Sequence, residues 1–206
     1  MTGVEDRRHA PSSPFVWAFA ISQMAGWGVL YFSFTLLVGP MEAELGWSKT
    51  DLNGALTVGL LTTAAASLPV GYCIDRYGGH LLMTLGAILA AGLLVAWSTV
   101  ETLPAFYLLW IGLGLATAMT MGEPVFAVLT VNVREYRRAI TYVAFVTGLS
   151  STAFIPLMNL LIGWYGWRTA LVILGLIYLA IAGSLNAIFL RGTRGTGRAG
   201  AKAVSY

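Results

Sequence analysis

Among the nine acidic residues of this chain, Glu123 stands apart, because it falls inside a long apolar stretch, flanked by Gly122 and Pro124. Proline has no amide hydrogen, so a helix running through Pro124 leaves the carbonyl of Thr120 without its usual partner and free to bond elsewhere. Burial favours the neutral form of a carboxylic acid, which is the property a proton carrier needs. The competing reading of Glu123 is a structural acid paired with an arginine from a neighbouring loop. Gln23, Trp27 and Tyr31 recur at four-residue steps and share one helical face. An amide in an apolar helix must bond protein or water, and the two rings beside it either bind a solute or pack as core. Other chemistry is scarce. The two histidines, His9 and His80, lie in polar segments between the apolar stretches, which leaves no base beside a buried serine nucleophile. No HExxH pattern occurs, and the single Cys73 excludes an internal disulfide or a cysteine metal cluster. No metal, cofactor or enzymatic activity is expected.

The elements that carry these residues follow from composition. Of 206 residues, 57% are apolar and 10% charged, with a mean hydropathy of +0.76, so most of the surface must face lipid. Apolar stretches run from Phe15 to Gly39, Leu52 to Cys73, Leu81 to Ser98, Pro104 to Val131, Ala139 to Ile162 and Ala170 to Leu190. Each is long enough to cross a hydrocarbon core about 30 Å thick, which predicts six transmembrane helices joined by short connections. With the N-terminus inside, 10 of the 12 basic residues fall on the cytoplasmic side and only Lys49 and Arg168 fall outside. The basic bias therefore predicts an N-in, C-in topology. Residues 1–14 form a polar cytoplasmic N-terminus, 15–190 the transmembrane domain, and 191–206 a basic tail that cannot bury enough surface to fold. The arginines lie in short loops rather than on one solvated face, which argues against nucleic-acid binding.

Small residues recur every fourth position: Gly59, Thr63, Ser67 and Gly71; Gly114, Ala118 and Gly122; Ala144, Gly148 and Thr152. Such spacing lets helix backbones approach closely in lipid, and it assigns Gly59, Gly114 and Gly148 to helix packing.

The segment Gly71-Tyr-Cys-Ile-Asp75-Arg76-Tyr-Gly78-Gly-His80 joins the second and third stretches. It resembles the signature loop of the major facilitator superfamily: a glycine, three residues, Asp-Arg, one residue and a glycine, followed by basic residues. Gly79 and His80 stand where the family usually has Arg or Lys. Arg137 and Arg138 opening the fifth stretch, Gly166-Trp167-Arg168 opening the sixth, and Gly46-Trp47-Ser48 before the second are similar to prokaryotic members, including those like monocarboxylate transporters. The fourth stretch has Leu108 where drug antiporters carry an arginine, which favours a symporter or uniporter of small organic solutes.

The resemblance implies an all-α membrane protein built as one six-helix half of the twelve-helix fold, a 3+3 inverted repeat, with substrate held between two halves at mid-membrane. It implies that the first and fourth helices line the cavity, so that Glu123, Gln23, Trp27 and Tyr31 serve substrate binding or proton coupling. Gly71, Asp75, Arg76, Gly78, Arg137 and Arg138 then belong to the gating motif. The implied partners are a small solute, perhaps a carboxylate with a coupled proton, the bilayer of a prokaryotic inner membrane, and a second six-helix half or a homodimer partner. The alternative is a half-length, non-transporting partner of another membrane protein.

Overall fold

The computed structural model describes Ala10 and residues 13–77, 79–121 and 123–189, with only the backbone of Asp75, Glu123 and Val131. The N-terminal residues 1–9, Gly78, Gly122 and the basic tail lie outside the described residues. Every element among the described residues is a helix: α1 (Pro14–Gly26), α2 (Ser33–Leu45), α3 (Lys49–Tyr77), α4 (Gly79–Trp97), α5 (Leu103–Thr120), α6 (Glu123–Asn132), α7 (Tyr136–Gly148), α8 (Ser150–Tyr178) and α9 (Ser184–Phe189). Two π-helical turns, Trp27–Phe32 and Leu179–Gly183, join α1 to α2 and α8 to α9 without a loop.

Local chemistry sets these boundaries. Pro14 and Pro104 sit in the first turns of α1 and α5, where a missing amide hydrogen costs nothing. Gly46, at φ 69°, ends α2 in the left-handed region that a side chain would strain. Ser48 and Asp51 then open α3 with a reciprocal cap, Ser48 Oγ donating to Asp51 Oδ2 at 2.7 Å and the Asp51 amide to Ser48 Oγ at 3.1 Å.

Among the described residues, five helical segments are long and apolar enough to span a membrane: Pro14–Leu45, Lys49–Ile74, Gly79–Trp97, Leu103–Thr130 and Tyr136–Phe189. The expected fifth and sixth stretches fall within the last of these, which has 54 residues. At about 1.5 Å per residue that is roughly 80 Å of helix, more than twice a hydrocarbon core. No polar loop divides it, because Trp164, Tyr165 and Trp167 surround the point where the chain turns. Gly166, at φ 76° and ψ 164°, makes that break alone.

Among the described residues three apolar clusters hold the bundle, the smallest joining Val70, Ile74 and Ala118. A second, near the Pro14 end, joins Phe15, Val16 and Phe19 to Met83, Val128, Leu129 and Val143. The largest, toward the Leu45 end, includes Leu37, Leu94, Met158 and Leu171. It contains a cluster of rings in which Trp97 meets Trp110 at 5.3 Å, Phe106 at 5.6 Å and Phe34 at 6.4 Å. Gly59 and Gly114 meet where α3 crosses α5, and a methyl group on Gly114 would run into the carbonyl of Gly59. Thr63 Oγ1 bridges the same crossing, 2.9 Å from the Gly114 carbonyl. Gly148 differs: nothing lies within 4 Å of a methyl group placed there, so among the described residues it makes no close helix crossing. The same holds for Gly71, whose surroundings are open.

Candidate functional site

The π-turn in the first long helix shapes the site. A π-turn takes one residue more than an α-turn and leaves a carbonyl to be satisfied otherwise. Ser33 does this here, its Oγ 3.2 Å from the Gly28 carbonyl. Gly28 has no room for a side chain because the ring of Phe154 lies against it. The bulge presents Trp27 and Tyr31, which are 38% and 45% exposed and meet edge to face at 5.5 Å.

Three clefts open along this ridge. One of about 440 Å³ is lined by Gln23, Trp27, Phe126, Val143, Thr147 and Gly148. A second, of about 220 Å³, lies against Trp27, Tyr31, Gly59, Thr63, Trp110 and Thr117. The third, of about 460 Å³, is lined by Tyr31, Thr35, Lys49 and Asn53 among others. Trp27 is shared by the first two and Tyr31 by the last two, so the two rings stand between clefts whose walls are mostly apolar in the first two and more polar in the third.

Gln23 sits one turn below Trp27 and is only 4% exposed. Its Nε2 donates to the Thr120 carbonyl at 2.9 Å. Thr120 is the last residue of α5, so the helix end, rather than a helix running through Pro124, leaves this carbonyl without an intrahelical donor, and Gln23 supplies one. The fourth expected stretch, which is α5 and α6, breaks immediately afterwards: Met121 is extended at φ −126° and ψ 164°, and α6 begins at Glu123. Two interrupted helices, the first and the fourth in the expected order, thus meet at one hydrogen bond. The side chain of Glu123 lies outside the described residues, but its backbone opens the segment that follows the break.

A profile of the Major Facilitator Superfamily matches residues 16–204. The chain belongs to this superfamily. It is also similar to a probable L-galactonate transporter of Escherichia coli (strain K12), 31% identical over 146 residues. The match covers 68% of this chain and 32% of that protein, so the chain spans about a third of its length.

As a facilitator-superfamily member, the chain is a multi-pass membrane protein, and the structure places most of the residues of the signature-like segment and of the fifth-stretch basic pair. Arg76 is exposed and makes local contacts, to the Tyr72 hydroxyl at 3.5 Å and over the Tyr77 ring at 5.5 Å. Arg138 pairs with Glu135 at 2.8 Å, also within its own turn, and Arg137 is exposed beside it. Gly78 and the side chain of Asp75 lie outside the described residues. His80, which replaces the family's usual cation, places Nε2 3.1 Å from the Ala187 carbonyl and so links the start of α4 to α9.

Sequence reasoning missed Glu44. Its carboxylate accepts from Trp167 Nε1 at 2.5 Å and from Arg168 Nε at 2.8 Å, while Arg168 also donates to the carbonyls of Ser98 and Val100. The Gly-Trp-Arg triplet was visible, but its partner looked like one more solvated acid. The buried pair Ser22 and Asn186, 3.0 Å apart, also gave no sequence signal beyond two polar residues at apolar depth.

Proposed function

We propose that this chain is the first six-helix half of a secondary transporter that moves a small organic carboxylate together with a proton, with both chain ends in the cytoplasm. The observation that carries the reading is the meeting of two interrupted helices beside the Trp27–Tyr31 ridge. Discontinuous helices at a cavity expose backbone groups that substrates and coupling ions use. The six crossings follow from counting Tyr136–Phe189 as two passes hinged at Gly166. The basic bias supports the N-in orientation in a prokaryotic inner membrane.

Trp27 and Tyr31 form the platform for the solute, and Glu123 carries the proton. The carboxylate preference is supported by the name of the L-galactonate transporter relative, and Leu108, where drug antiporters carry an arginine, favours a symporter or uniporter. A second six-helix half, or a second copy of this chain, completes the cavity, because rocking about a central site needs two repeats.

The test is uptake of labelled L-galactonate by cells expressing this chain alone and with a complementary six-helix half, from about pH 5 to about pH 8. Accumulation is expected only with both halves and should fall as the proton gradient is removed. Glu123→Gln should keep substrate binding and lose the pH dependence. Parent-like accumulation by Glu123→Gln across that range would make Glu123 structural.

A further inference from the structure

Of the 12 basic residues in this chain only two are lysines, Lys49 and Lys202, and Lys49 opens α3 on the wall of the third cleft. Among the described residues it is the one charged side chain that lines any of the three clefts. The rest of that wall mixes polar with apolar groups: Thr35, Asn53 and the Tyr31 ring stand beside Phe34, Val38 and Leu56. Asn53 follows Lys49 by four residues on the same helical face and donates from Nδ2 to the Lys49 carbonyl at 2.7 Å. The volume, about 460 Å³, is in the range of small-molecule sites.

The Lys49 ammonium has a weak partner. Glu42 Oε2 lies 3.6 Å from its Nζ, whereas charge-assisted hydrogen bonds span about 2.7–2.9 Å. With the two side chains 69% and 43% exposed, the pair is of the class that contributes little. Glu42 is not among the residues on the cleft wall. Two other acids at this end are committed elsewhere, Asp51 to Ser48 and Glu44 to Trp167 and Arg168. A carboxylate entering the cleft therefore meets a compact charge on a flexible stem, which can exchange a loose partner for a closer one. Tyr31, shared with the second cleft, joins this ammonium to the aromatic ridge.

We propose that this cleft is a carboxylate-recognising subsite, in which Lys49 pairs with the carboxylate of a small hydroxylated acid while Thr35 and Asn53 take its hydroxyl groups and the Tyr31 ring covers its carbon chain. The consequence for transport rests on the carboxylate reading given above; binding at the cleft does not.

The experiment is competition amine labelling of the whole chain in phosphatidylcholine nanodiscs, whose headgroups carry no net negative charge. A water-soluble N-hydroxysuccinimide ester is added, and peptide mass spectrometry follows Lys49, with Lys202 as the reference amine. L-galactonate should slow the labelling of Lys49 saturably, by about tenfold at ten times the half-protecting concentration, and leave Lys202 at its own rate. L-galactose, which has the hydroxyl groups without the carboxylate, should slow it by less than about twofold at the same concentration and ionic strength. No protection by L-galactonate, or equal protection by L-galactose, overturns the proposal. Glu42→Gln removes the loose partner and should lower the half-protecting concentration by about two- to fourfold; a higher one also overturns the proposal. The second readout is uptake by the assembled transporter. Lys49→Gln should raise the half-saturation concentration for L-galactonate about tenfold at an unchanged maximal rate, and Lys49→Arg, which keeps the charge, should recover most of the loss. If the parent accumulates L-galactonate and Lys49→Gln matches it, the proposal fails and the transport reading stands. If L-galactonate protects Lys49 but the assembled transporter does not accumulate it, the subsite stands and the transport reading fails.

Discussion

Arg168 lies 2.8 Å from Glu44 across 124 residues of sequence, and the same guanidinium reaches the Ser98 carbonyl at 2.6 Å. One side chain thus ties the end of α2, the segment after α4 and the second part of α8. The arginine is the centre of this arrangement and the glutamate one of its three arms.

Removing Arg168 should therefore cost more than removing the charge of Glu44. Exposed ion pairs contribute little, whereas carbonyls that lose a charged donor in a partly buried site are left poorly satisfied. Arg168→Leu is expected to lower stability by about 1 to 3 kcal/mol, with Glu44→Gln clearly milder. Unfolding of the detergent-solubilised chain, followed by tryptophan fluorescence, orders the two; a larger loss for Glu44→Gln would mean the carbonyl contacts are incidental.

The glycines separate in the same assay. Gly114→Ala puts a methyl group against the Gly59 backbone, which cannot move aside as a flexible side chain would. We expect a loss of about 1 to 3 kcal/mol from forced separation of α3 and α5. Gly148→Ala meets nothing within 4 Å and should be neutral, or stabilising by up to about 1 kcal/mol through helix propensity. Equal losses at both positions would contradict the packing described here.

Orientation is checked by thiol labelling. In a Cys73→Ser background, an impermeant reagent added outside intact cells should label a cysteine at Glu101 and not one at Gly195. The opposite pattern reverses the topology proposed from the basic residues.

The aromatic ridge predicts a split between ring and hydroxyl. In the assembled transporter, Trp27→Ala should raise the half-saturation concentration about tenfold, equivalent to about 1.4 kcal/mol of solute contact. Tyr31→Phe retains its ring and should change it by less than about threefold. Parent-like transport by Trp27→Ala would reduce the ridge to packing.

Much of this chain was legible before any coordinates. Apolar run length located the helical segments, and the Thr120 carbonyl did find a partner, though because α5 ends there and not because a helix runs through Pro124. That Gln23 is this partner was not legible, because it depends on how the first helix is rotated against the fourth, a property of packing rather than of either segment. The π-turns carried no signal either, since Gly28 and Ser33 are common in membrane helices and only the fit of Phe154 against Gly28 explains the extra residue. Four-residue spacing treated Gly114 and Gly148 alike, and only the partner helix distinguishes a crossing from a cleft wall.

The contact of Trp97 with Trp110, 5.3 Å apart with planes inclined at 68°, has an optical consequence. Two indoles held so close at a steep angle couple their strong electronic transitions, and the coupled pair adds a paired positive and negative band to the far-ultraviolet circular dichroism that separate rings would not give. That signal reports the packing around the Leu45 end of the bundle without any added label, and Trp97→Phe would extinguish it while leaving the apolar contact nearly filled.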